Sequence, residues 1–574
     1  MCGIAGLVSR MDRDLGPILQ EMLGAMHHRG PDGAGYVIGE SCERKHELSE
    51  LDFKRKRGRF ALGHVRLAIT GGSAGLQPFL SKDGSLSLLH NGEIYNYREI
   101  AAELGGDEDL STGSDSEVLM RLIEREYDGS LSKTLERVLP KLDGVYALAV
   151  NDRRETVIAR DKIGVRQLYY HRHDGLTSFA SEKKPLWGLM DSDIEIERVL
   201  PGEMIVLTPD RFERRRFWHQ QSIRPDKHLD GELEALRAYG KAIEQAVEKR
   251  VRGREHVGII YSGGIDSVLI AYLVQRSGVP FTCYTAGRED STDTIWARRT
   301  ADRFGFPLDV WSLTDDEIER MIPEIIDTIE DQSLNQVEVA IPVFASIRRA
   351  QEGGELVILT GQGADELFGG YPWYAAIVDR EGYGNFIERS WEDTFLLYKE
   401  CLEREDKIAM AHSLELRVPF LDPVVIELAF SLDPSLKIAK GGDTLRKRIH
   451  RSYCRSIGIP EDVASRSKEA AQHGANVHGI FEELALRNGL SAALLDKTDY
   501  DPEVTIAEKL GSSSRYGFRY GDDHLWKPLP HVQFYLDQHA ERLGVLSRLP
   551  RYHIYKVREQ LAELGVENAG GEAV

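Results

Sequence analysis

The residues with the clearest chemistry stand in one short loop, Ser262-Gly263-Gly264-Ile265-Asp266-Ser267. The loop follows an apolar run typical of a buried strand, and apolar residues at helical spacing come after it. Glycines let backbone N–H groups approach a phosphate, and the dipole of the next helix favours negative charge there. Ser262 and Ser267 add hydroxyl donors, and Asp266 is placed to hold Mg²⁺. Because the loop has no lysine, it predicts a phosphate site of a different type from Walker A.

A second reactive group is the thiol of Cys2. If Met1 is removed, Cys2 carries a free α-amine beside its own sulfur. An α-amine titrates near ~8, so it can take the thiol proton and later return it to a leaving group. Nucleophile and base would then belong to one residue. A cysteine at position 2 is not a signal by itself, and its neighbours in sequence decide the interpretation.

Four polar segments supply that context. They are predicted to be a turn at 28–33, a strand with Arg66 at 63–69, a strand end at 91–96 and a capped helix start at 112–117. With Cys2, and in this order, they resemble the class II glutamine amidotransferases of the N-terminal nucleophile superfamily. The resemblance extends from residue 1 to about residue 205.

The resemblance implies a role for each polar residue. Cys2 attacks the side-chain amide of glutamine, and the Asn91 amide with the Gly92 N–H stabilises the oxyanion. An arginine pairs with the substrate carboxylate, and two carboxylates hold its α-ammonium. The implied glutamine pocket consists of Arg66, Leu67, Ile69, Asn91, Gly92, Glu93 and Asp115.

Further strands at 144–150 and 156–160 complete an antiparallel sandwich. The segment 161–169 resembles the D-x-x-G-x-[KR]-x-L-Y run of the asparagine synthetase family. We therefore expect an αββα N-terminal nucleophile sandwich over residues 1–205, followed by a charged inter-domain crossover at 206–232.

From residue 233 helix and strand patterns alternate, which predicts a parallel α/β sheet. Ligands bind at the carboxyl ends of the strands in such sheets. The stretch 361–371, after the predicted strand at 356–359, resembles the family signature SG-x-G-x-DE-x-FGGY. Its Asp365 is expected to join Asp266 as a Mg²⁺ ligand, and Glu366 to act on an amine-bearing substrate.

The glycine loop itself resembles the PP-loop of ATP pyrophosphatases, which cleave ATP to AMP and pyrophosphate. Two more segments, 412–422 and 466–474, resemble the E-x-R-x-PFLD and R-x-K elements of the asparagine synthetase family. The second element implies that Lys468 contacts the ATP phosphates and stabilises the adenylation transition state. The implied ATP site consists of Tyr261, Ser262, Gly263, Gly264, Asp266, Ser267, Ala286, Thr360 and Gly361.

One position departs from the family pattern. The family often has Glu where this chain has Gln362, and an amide cannot take a proton from ammonia as a carboxylate can. The departure leaves L-aspartate and other carboxylic acids open as the acyl acceptor. The implied catalytic residues are Cys2, Asn91, Gly92, Gln362, Glu366 and Lys468.

The family resemblance ends near residue 480. Residues 233–480 are expected to form the PP-loop domain, and residues 481–574 a helical C-terminal extension of unknown role. A loop rich in Gly, Ser and Tyr lies at 511–521, and the tail 567–574 is expected to be disordered.

Composition narrows the possible partners. The chain has 574 residues, 41% hydrophobic and 29% charged, with a net charge of −20 and five scattered cysteines. The charge argues against nucleic-acid and membrane binding. The cysteines form no CxxC pair, and the chain has no apolar run of 18 residues. Both features favour a protein of the cytoplasm. A homodimer is left open.

The resemblance implies a glutamine-dependent ligase of the asparagine synthetase family. Glutamine is hydrolysed at Cys2, ammonia passes between the domains, and ATP activates L-aspartate as β-aspartyl-adenylate, which gives asparagine, AMP and diphosphate. An amidotransferase acting on another carboxylic acid, such as a peptide, a cell-envelope precursor or a secondary metabolite, is the first alternative. A cyclising ligase like the β-lactam synthetases is disfavoured by the intact Cys2 pocket. A tRNA-modifying PP-loop protein is disfavoured by the net charge and the lack of paired cysteines.

Overall fold

The chain forms two compact units in a computed structural model that describes residues 2–69, 75–106, 110–189, 196–223, 229–510, 529–546 and 548–566. The first unit comprises Met1–Asp226 and Phe395–Glu415, and the second comprises Lys227–Thr394 and Leu416–Val574. Residues 395–415 therefore belong to the first unit, although the sequence places them among the residues of the PP-loop domain. The tail 567–574 and the Gly-, Ser- and Tyr-rich loop 511–521 lie outside the described residues.

Two antiparallel sheets build the first unit. The seven-stranded sheet has the order β11-β9-β10-β1-β4-β2-β3, and the six-stranded sheet has the order β13-β12-β8-β7-β6-β5. The strands are β1 (Gly3–Asp14), β2 (Ala34–Ile38), β3 (Ser41–Lys45), β4 (Arg57–Val65), β5 (Phe79–Leu80), β6 (Ser87–Ile94), β7 (Gly144–Asn151), β8 (Thr156–Arg160), β9 (Tyr169–His173), β10 (Leu176–Ala180), β11 (Glu197–Arg198), β12 (Glu203–Thr208) and β13 (Arg211–Arg216).

Helices cover the outer face of each sheet. They are α1 (Gly16–Ala25), α2 (Tyr97–Glu103), α3 (Asp115–Glu126), α4 (Leu131–Val138) and α5 (Lys184–Trp187). Ala5 and Leu7 of β1 pack in the core beneath α1, whereas Ile4 and Val8 pack in the core between the sheets. Successive side chains of a strand point to opposite faces, so a strand covered on both faces reads as one apolar run. The predicted αββα sandwich is confirmed.

A parallel sheet forms the centre of the second unit. It has the order β16-β15-β14-β17-β18, and β14 pairs in parallel with both β15 and β17. The strands are β14 (Val257–Ile260), β15 (Phe281–Gly287), β16 (Leu308–Ser312), β17 (Val357–Leu359) and β18 (Glu415–Arg417). The α/β prediction for this region is confirmed.

The remaining helices follow along the chain, and α14 belongs to the first unit. They are α6 (Glu232–Val251), α7 (Ile265–Ser277), α8 (Thr292–Phe304), α9 (Asp315–Ile329), α10 (Leu334–Glu352), α11 (Ala364–Phe368), α12 (Pro372–Glu381), α13 (Tyr383–Leu397), α14 (Glu403–Ala411), α15 (Pro423–Ser431), α16 (Arg448–Ser456), α17 (Glu461–Ala464), α18 (Ala471–Gly474), α19 (Ile480–Arg487), α20 (Ala492–Leu495), α21 (Pro502–Leu510), α22 (Pro530–Arg542) and α23 (Arg548–Glu563). Among the described residues, no helix is apolar enough over a sufficient length to cross a membrane.

A buried polar cluster ties the C-terminal helices together. Asp537 of α22 accepts hydrogen bonds from the Tyr500 hydroxyl and the Thr505 hydroxyl, both at 2.7 Å, and from Gln533 Nε2 at 2.9 Å. Gln533 also donates to the Gln332 carbonyl at 3.1 Å. Because Gln332 lies between α9 and α10, the extension packs against the body of the second unit.

A buried lysine without a polar partner provides a test of stability. Lys437 is fully buried, and its Nζ, which lies 5.0 Å from the Phe430 ring centroid, has no hydrogen-bond partner among the described residues. Burial lowers the pKa of Lys437 to about 7. A lysine whose pKa is lower in the folded protein than in the unfolded chain costs stability below the folded value, and the loss shrinks as pH rises from about 7 to ~10.4.

We therefore expect Lys437→Met to stabilise the protein at pH 7, by at most ~4 kcal/mol. Methionine keeps an apolar stem in the cavity and removes the ammonium. Calorimetric melting temperatures at pH 7 and pH 9 measure the effect, and the stabilisation should be smaller at pH 9. The exposed Lys440→Met is the control. A lower melting temperature for Lys437→Met at pH 7 would show that contacts with the aromatic rings outweigh desolvation.

Candidate active sites

The first unit contains a pocket at the start of its central strand. Cys2 directly precedes β1 and is 7% exposed, and Met1 lies outside the described residues. The pocket collects polar side chains from both sheets and from α3. Its lining residues are Cys2, Arg66, Leu67, Ile69, Gly75, Gln77, His90, Gly92, Glu93, Ser114, Asp115, Ser116 and Glu415. Six of the seven predicted glutamine-binding residues therefore line the same pocket as the predicted nucleophile.

Asn91, the seventh, contacts the backbone of Cys2. The Cys2 backbone nitrogen donates to Asn91 Oδ1 at 3.0 Å. Asn91 Nδ2 is buried and has no hydrogen-bond partner among the described residues. The side chain is therefore held by its oxygen, and its amide N–H groups remain without a partner among the described residues.

Gly92 is required by the packing of β6 against β7. Its φ is +150°, and a Cβ at this position would lie 2.0 Å from the Val145 carbonyl oxygen. No larger residue fits without moving the neighbouring strand. Gly92 therefore lets the backbone of β6 pack closely against β7, directly after Asn91.

The thiol itself is not activated by its surroundings. Burial raises the pKa of the Cys2 thiol more than the positive charge of Arg66 lowers it. Its Sγ lies 4.0 Å from the Leu67 carbonyl oxygen. A buried thiol with a raised pKa needs a base beside it in order to attack. The α-amine exposed by removal of Met1 would be that base.

The pocket contains three buried charged residues that were predicted to bind glutamine. Asp115 is the first residue of α3 and accepts from the backbone N–H of Ile94 at 2.9 Å and of Ser116 at 2.8 Å. Glu93 and Arg66 are also buried there. Two carboxylates and one guanidinium complement an α-ammonium and an α-carboxylate.

Six lining residues were not among the predicted site residues: Gly75, Gln77, His90, Ser114, Ser116 and Glu415. Gln77 exchanges two hydrogen bonds with the backbone of His90, at 2.7 and 2.9 Å, and His90 Nδ1 lies 2.8 Å from the Ser116 hydroxyl. His90 and Ser116 adjoin the motif residues Asn91 and Asp115, and adjacency is the only signal that could have found them. Gln77 and Glu415 carry no such signal for this pocket, because they come from segments without a local motif for it.

A buried ion-pair network holds the backbone of Cys2. Arg29 Nε donates to the Cys2 carbonyl at 3.2 Å, and its other nitrogens contact Glu182 at 2.7 Å and Asp406 at 2.9 Å. Arg166 contacts Asp406 at 2.7 Å. These arginines and their partners are fully buried, so each charge is compensated by the others. The backbone of Cys2 is thereby connected to α14, which is distant in sequence.

The second unit contains the glycine loop in the predicted strand–turn–helix setting. The loop joins β14 to α7, with Gly264 as the N-cap. Gly263 has φ +64°, and a Cβ there would lie 2.5 Å from the backbone of Trp296. Ser267 Oγ donates to the Gly264 carbonyl at 3.0 Å. Backbone and hydroxyl donors therefore meet at the N-terminus of a 13-residue helix.

A polar pocket opens above this loop. It is lined by Ser262, Gly264, Ile265, Asp266, Ser267, Asp293, Lys447, Arg451, Arg466, Ser467, Lys468 and Glu469. Four of these residues are cationic, as a polyphosphate site requires. Of the predicted residues, four from the loop line the pocket together with Lys468.

The other predicted ATP residues, like the predicted metal ligand Asp365, are not among the residues that line this pocket. Ala286 is buried near the end of β15, and Gly361 follows β17 after Thr360. A Cβ on Gly361 would lie 3.0 Å from the Asp266 Cβ, so this segment borders the loop. Tyr261 is buried, and its hydroxyl donates to Thr300 at 2.7 Å. Among the residues that line the pocket, neither Gln362 nor Glu366 is present.

The two predicted metal ligands meet at one ammonium group. Lys447 Nζ lies 2.8 and 2.7 Å from the oxygens of Asp266 and 2.7 Å from Asp365 Oδ1. Lys468 Nζ lies 3.4 Å from Asp365 Oδ2. Although burial alone would raise it, the positive charge of Lys447 holds the pKa of the Asp266 carboxyl well below its usual range. Lys447 was not predicted, and nothing in its local sequence indicates this position.

Glu366 has the acid–base character that its predicted role needs. Burial, reinforced by the negative charge of Asp365, raises the pKa of Glu366 to about 7. The Tyr371 hydroxyl donates to Glu366 Oε1 at 2.6 Å. A carboxyl group that titrates near neutral pH can both accept and return a proton.

Arg466 is a further residue that the sequence reasoning did not single out. Its Nη1 donates to the Ser262 carbonyl at 2.8 Å, and its Nη2 contacts Asp293 at 2.7 Å. Arg466 is the arginine of the R-x-K element, whose lysine alone was given a role. The arginine thus joins the segment that carries Lys468 to the glycine loop.

The fold and the two pockets define a class of protein that joins a glutamine amidotransferase to an ATP-dependent synthetase. A family model of the glutamine amidotransferase domain matches residues 1–230, and a model of asparagine synthase matches residues 238–388 and 381–536. The chain therefore belongs to the asparagine synthase family, and the family resemblance found in the sequence is confirmed.

Relatives match over most of their length. The putative asparagine synthetase [glutamine-hydrolyzing] 1 of Methanocaldococcus jannaschii is 32% identical over 537 residues, which cover 86% of this chain and 96% of the relative. A probable asparagine synthetase of Schizosaccharomyces pombe is 29% identical, with 84% and 86% covered. Asparagine synthetase 1 of Lotus japonicus is 30% identical, with 84% and 79% covered.

Proposed function

We propose that the chain is a glutamine-hydrolysing asparagine synthetase. It would convert ATP, L-aspartate, L-glutamine and water into AMP, diphosphate, L-asparagine and L-glutamate. The observation that carries the proposal is the pair of pockets, one around Cys2 and Asn91 and one around the glycine loop and Lys468. The printed names of the relatives support the choice of product.

In the first pocket, the α-amine of Cys2 would take the thiol proton as the sulfur attacks the glutamine amide. Arg66 would pair with the substrate carboxylate, and Glu93 and Asp115 with its ammonium. Asn91 Nδ2 would donate to the oxyanion, with the Gly92 N–H as a second donor. The protonated amine would then return its proton to the departing ammonia, and water would release glutamate.

In the second pocket, the ATP phosphates would lie on the loop amides, with Lys468 and Arg466 as counter-charges. Asp266 and Asp365 would hold Mg²⁺, which when bound supplies charge neutralisation and orientation of the phosphates. Both carboxylates contact the Lys447 ammonium, so a bound Mg²⁺ would share these two carboxylates with Lys447 or replace its contact with them. The aspartate carboxylate would attack the α-phosphorus and release diphosphate.

The last step is attack of ammonia on the adenylate, and the nitrogen must lose a proton as AMP leaves. Glu366, whose pKa is raised to about 7, is the proposed acceptor. Tyr371 orients it through the 2.6 Å hydrogen bond. Gln362 would contribute hydrogen bonds and no proton transfer.

Gln362 supports a second candidate function, that of an amidotransferase for another carboxylic acid. Gln362 is neutral where the family often has Glu, and the acceptor site is where relatives with different substrates would differ. Incubation with ATP, an ammonium salt and a panel of carboxylic acids, with mass-spectrometric detection of the amides, separates the candidates. Asparagine as the main product supports the first, and a different amide supports the second.

We further propose the organisation predicted from the sequence, an amidotransferase domain at 1–205, a crossover at 206–232, a PP-loop domain at 233–480 and an extension at 481–574, with residues 395–415 of the PP-loop range packed in the first unit. A cytoplasmic protein acting on small molecules, without nucleic-acid or membrane partners, is proposed from the net charge of −20 and the scattered cysteines. A homodimer is the oligomeric state to test first, by light scattering.

Gln362→Glu is expected to be tolerated, with ammonia-dependent amidation of aspartate unchanged or raised. A carboxylate there would add a second possible proton acceptor to Glu366. By contrast, Glu366→Gln should lose ~10²–10⁴-fold in kcat, the usual value of general-base help. Steady-state kinetics with ammonium chloride measure both variants. If Gln362→Glu stops amidation while adenylation continues, Gln362 positions the substrate. The assignment of the amidation step to Glu366 without help from Gln362 would then be wrong.

A further inference from the structure

A buried carboxylate contacts the segment that carries Lys468. Glu338 belongs to α10 and is 1% exposed. Its Oε1 accepts a hydrogen bond from Gln472 Nε2 at 3.1 Å, and its Oε2 lies 2.5 Å from His478 Nδ1. Both partners belong to residues 466–478, which we call the lysine segment because it contains Lys468.

The burial of Glu338 makes these two contacts important. A buried carboxylate destabilises a fold unless it is hydrogen-bonded or paired with a positive charge. Among the described residues, the side chains that hydrogen-bond to the Glu338 carboxylate both belong to the lysine segment. The bond to Glu338 also raises the pKa of the His478 imidazole, because a carboxylate favours the charged ring. The compensation of this buried charge therefore depends on the lysine segment staying in place against α10.

A second set of contacts holds the lysine segment at the pocket above the glycine loop. Arg466 contacts Asp293 of α8 at 2.7 Å, and a Cβ on Gly474 would clash with the Asp293 carboxylate. The segment therefore packs closely against α8 as well as against α10.

Lys468 lies between the two sets of contacts. It follows Arg466 by two residues and precedes Gln472 by four. Its side chain is 29% exposed, and its Nζ lies 3.4 Å from Asp365 Oδ2. Since a partly exposed lysine side chain is flexible, the place of its ammonium over the pocket depends on how firmly the flanking residues fix its backbone.

We propose that Glu338 and His478 are positioning residues for Lys468: with Gln472, they fix the lysine segment on α10 and so hold Lys468 over the pocket. The inference rests on the proposed function only in taking Lys468 as the group that acts on the ATP phosphates. Loss of the contact should lower kcat for AMP formation more than it raises KM for ATP, because Lys468 is proposed to act in the transition state.

Steady-state formation of AMP from ATP, aspartate and ammonium chloride by the full chain tests the proposal. His478→Leu removes the donor, so kcat should fall about 10-fold or more, the usual value of a hydrogen bond to a charged group, with KM for ATP within about threefold of wild type. His478→Asn places an N–H donor near the position of Nδ1 and should keep kcat within about threefold of wild type. His473→Leu is the control and should leave kcat unchanged, because the His473 ring packs 4.6 Å from that of His478 and makes no hydrogen bond to Glu338 among the described residues.

Two further measurements separate positioning from a general loss of stability. In a Lys468→Ala background, His478→Leu should change kcat by less than about twofold, because a residue that acts through Lys468 has no effect once Lys468 is absent. Hydrogen exchange of the free protein should be faster across residues 466–478 in His478→Leu and unchanged in α7.

An undiminished effect of His478→Leu in the Lys468→Ala background would overturn the proposal. Equal losses of kcat in His478→Leu and His478→Asn, or unchanged hydrogen exchange across the lysine segment, would also overturn it. Failure of the proposed function is recognised separately, as wild-type protein that forms no AMP from ATP and aspartate. Hydrogen exchange needs no substrate, so it decides in that case whether His478 anchors the lysine segment.

Discussion

Cys2→Ala should abolish glutamine-dependent synthesis and leave synthesis from ammonium salt within about twofold of wild type. The sulfur is the only nucleophile proposed for glutamine, and its loss should lower glutaminase kcat by ~10⁴-fold or more. The second pocket is built from residues of the second unit alone, so its chemistry should continue. Release of glutamate and formation of the amide, measured in parallel, give both results.

Cys42→Ala is the matched control, because Cys42 lies in β3 outside the lining of the Cys2 pocket. It should keep both activities. Intact-mass spectrometry of the wild type should show the loss of Met1, because the α-amine of Cys2 is the proposed base. Full glutaminase activity in a protein that retains Met1 would refute that base, and loss of both activities in folded Cys2→Ala would refute the independence of the two sites.

Lys468→Ala should lower formation of AMP and diphosphate by ~10²–10⁴-fold and leave glutaminase activity unchanged. Lys468 lies in the pocket above the glycine loop, 3.4 Å from Asp365. Its charge is proposed to stabilise the negative charge that develops on the phosphates, and removal of such a group typically costs several kcal/mol. Chromatography of the nucleotides after incubation with ATP and aspartate measures the effect.

The exposed Lys497→Ala is the control for loss of surface charge. The wild type should produce AMP and no stoichiometric ADP, because the loop lacks the lysine of terminal-phosphate transfer. ADP as the stoichiometric product would contradict the assignment of the glycine loop.

Much of the fold was predictable because its signals are local. The strand–turn–helix around Gly263 depends on residues within one short segment, and β1 reads as an apolar run because both of its faces are covered. Motif order then identified the amidotransferase half, and four of its predicted polar residues lie in one pocket with Cys2 or contact its backbone: Arg66, Asn91, Glu93 and Asp115.

The remainder of the sites depends on contacts between segments that are distant in sequence. Lys447 reaches Asp266 and Asp365 from a turn in which Arg446 and Lys447 both have positive φ, a conformation that neither residue type signals. Asp406 reaches Arg29 from a helix 377 residues away. Such convergence is set by packing, and local propensity does not encode it.

Synthesis from [amide-¹⁵N]glutamine tests the central claim most directly. The protein, ATP, Mg²⁺, L-aspartate and the labelled glutamine are incubated together, and the amide product and nucleotides are analysed by mass spectrometry. Our account predicts asparagine labelled in its side-chain amide, with one AMP and one diphosphate formed for each asparagine. Glutamate release and AMP formation without labelled asparagine would contradict it and identify a different acceptor acid.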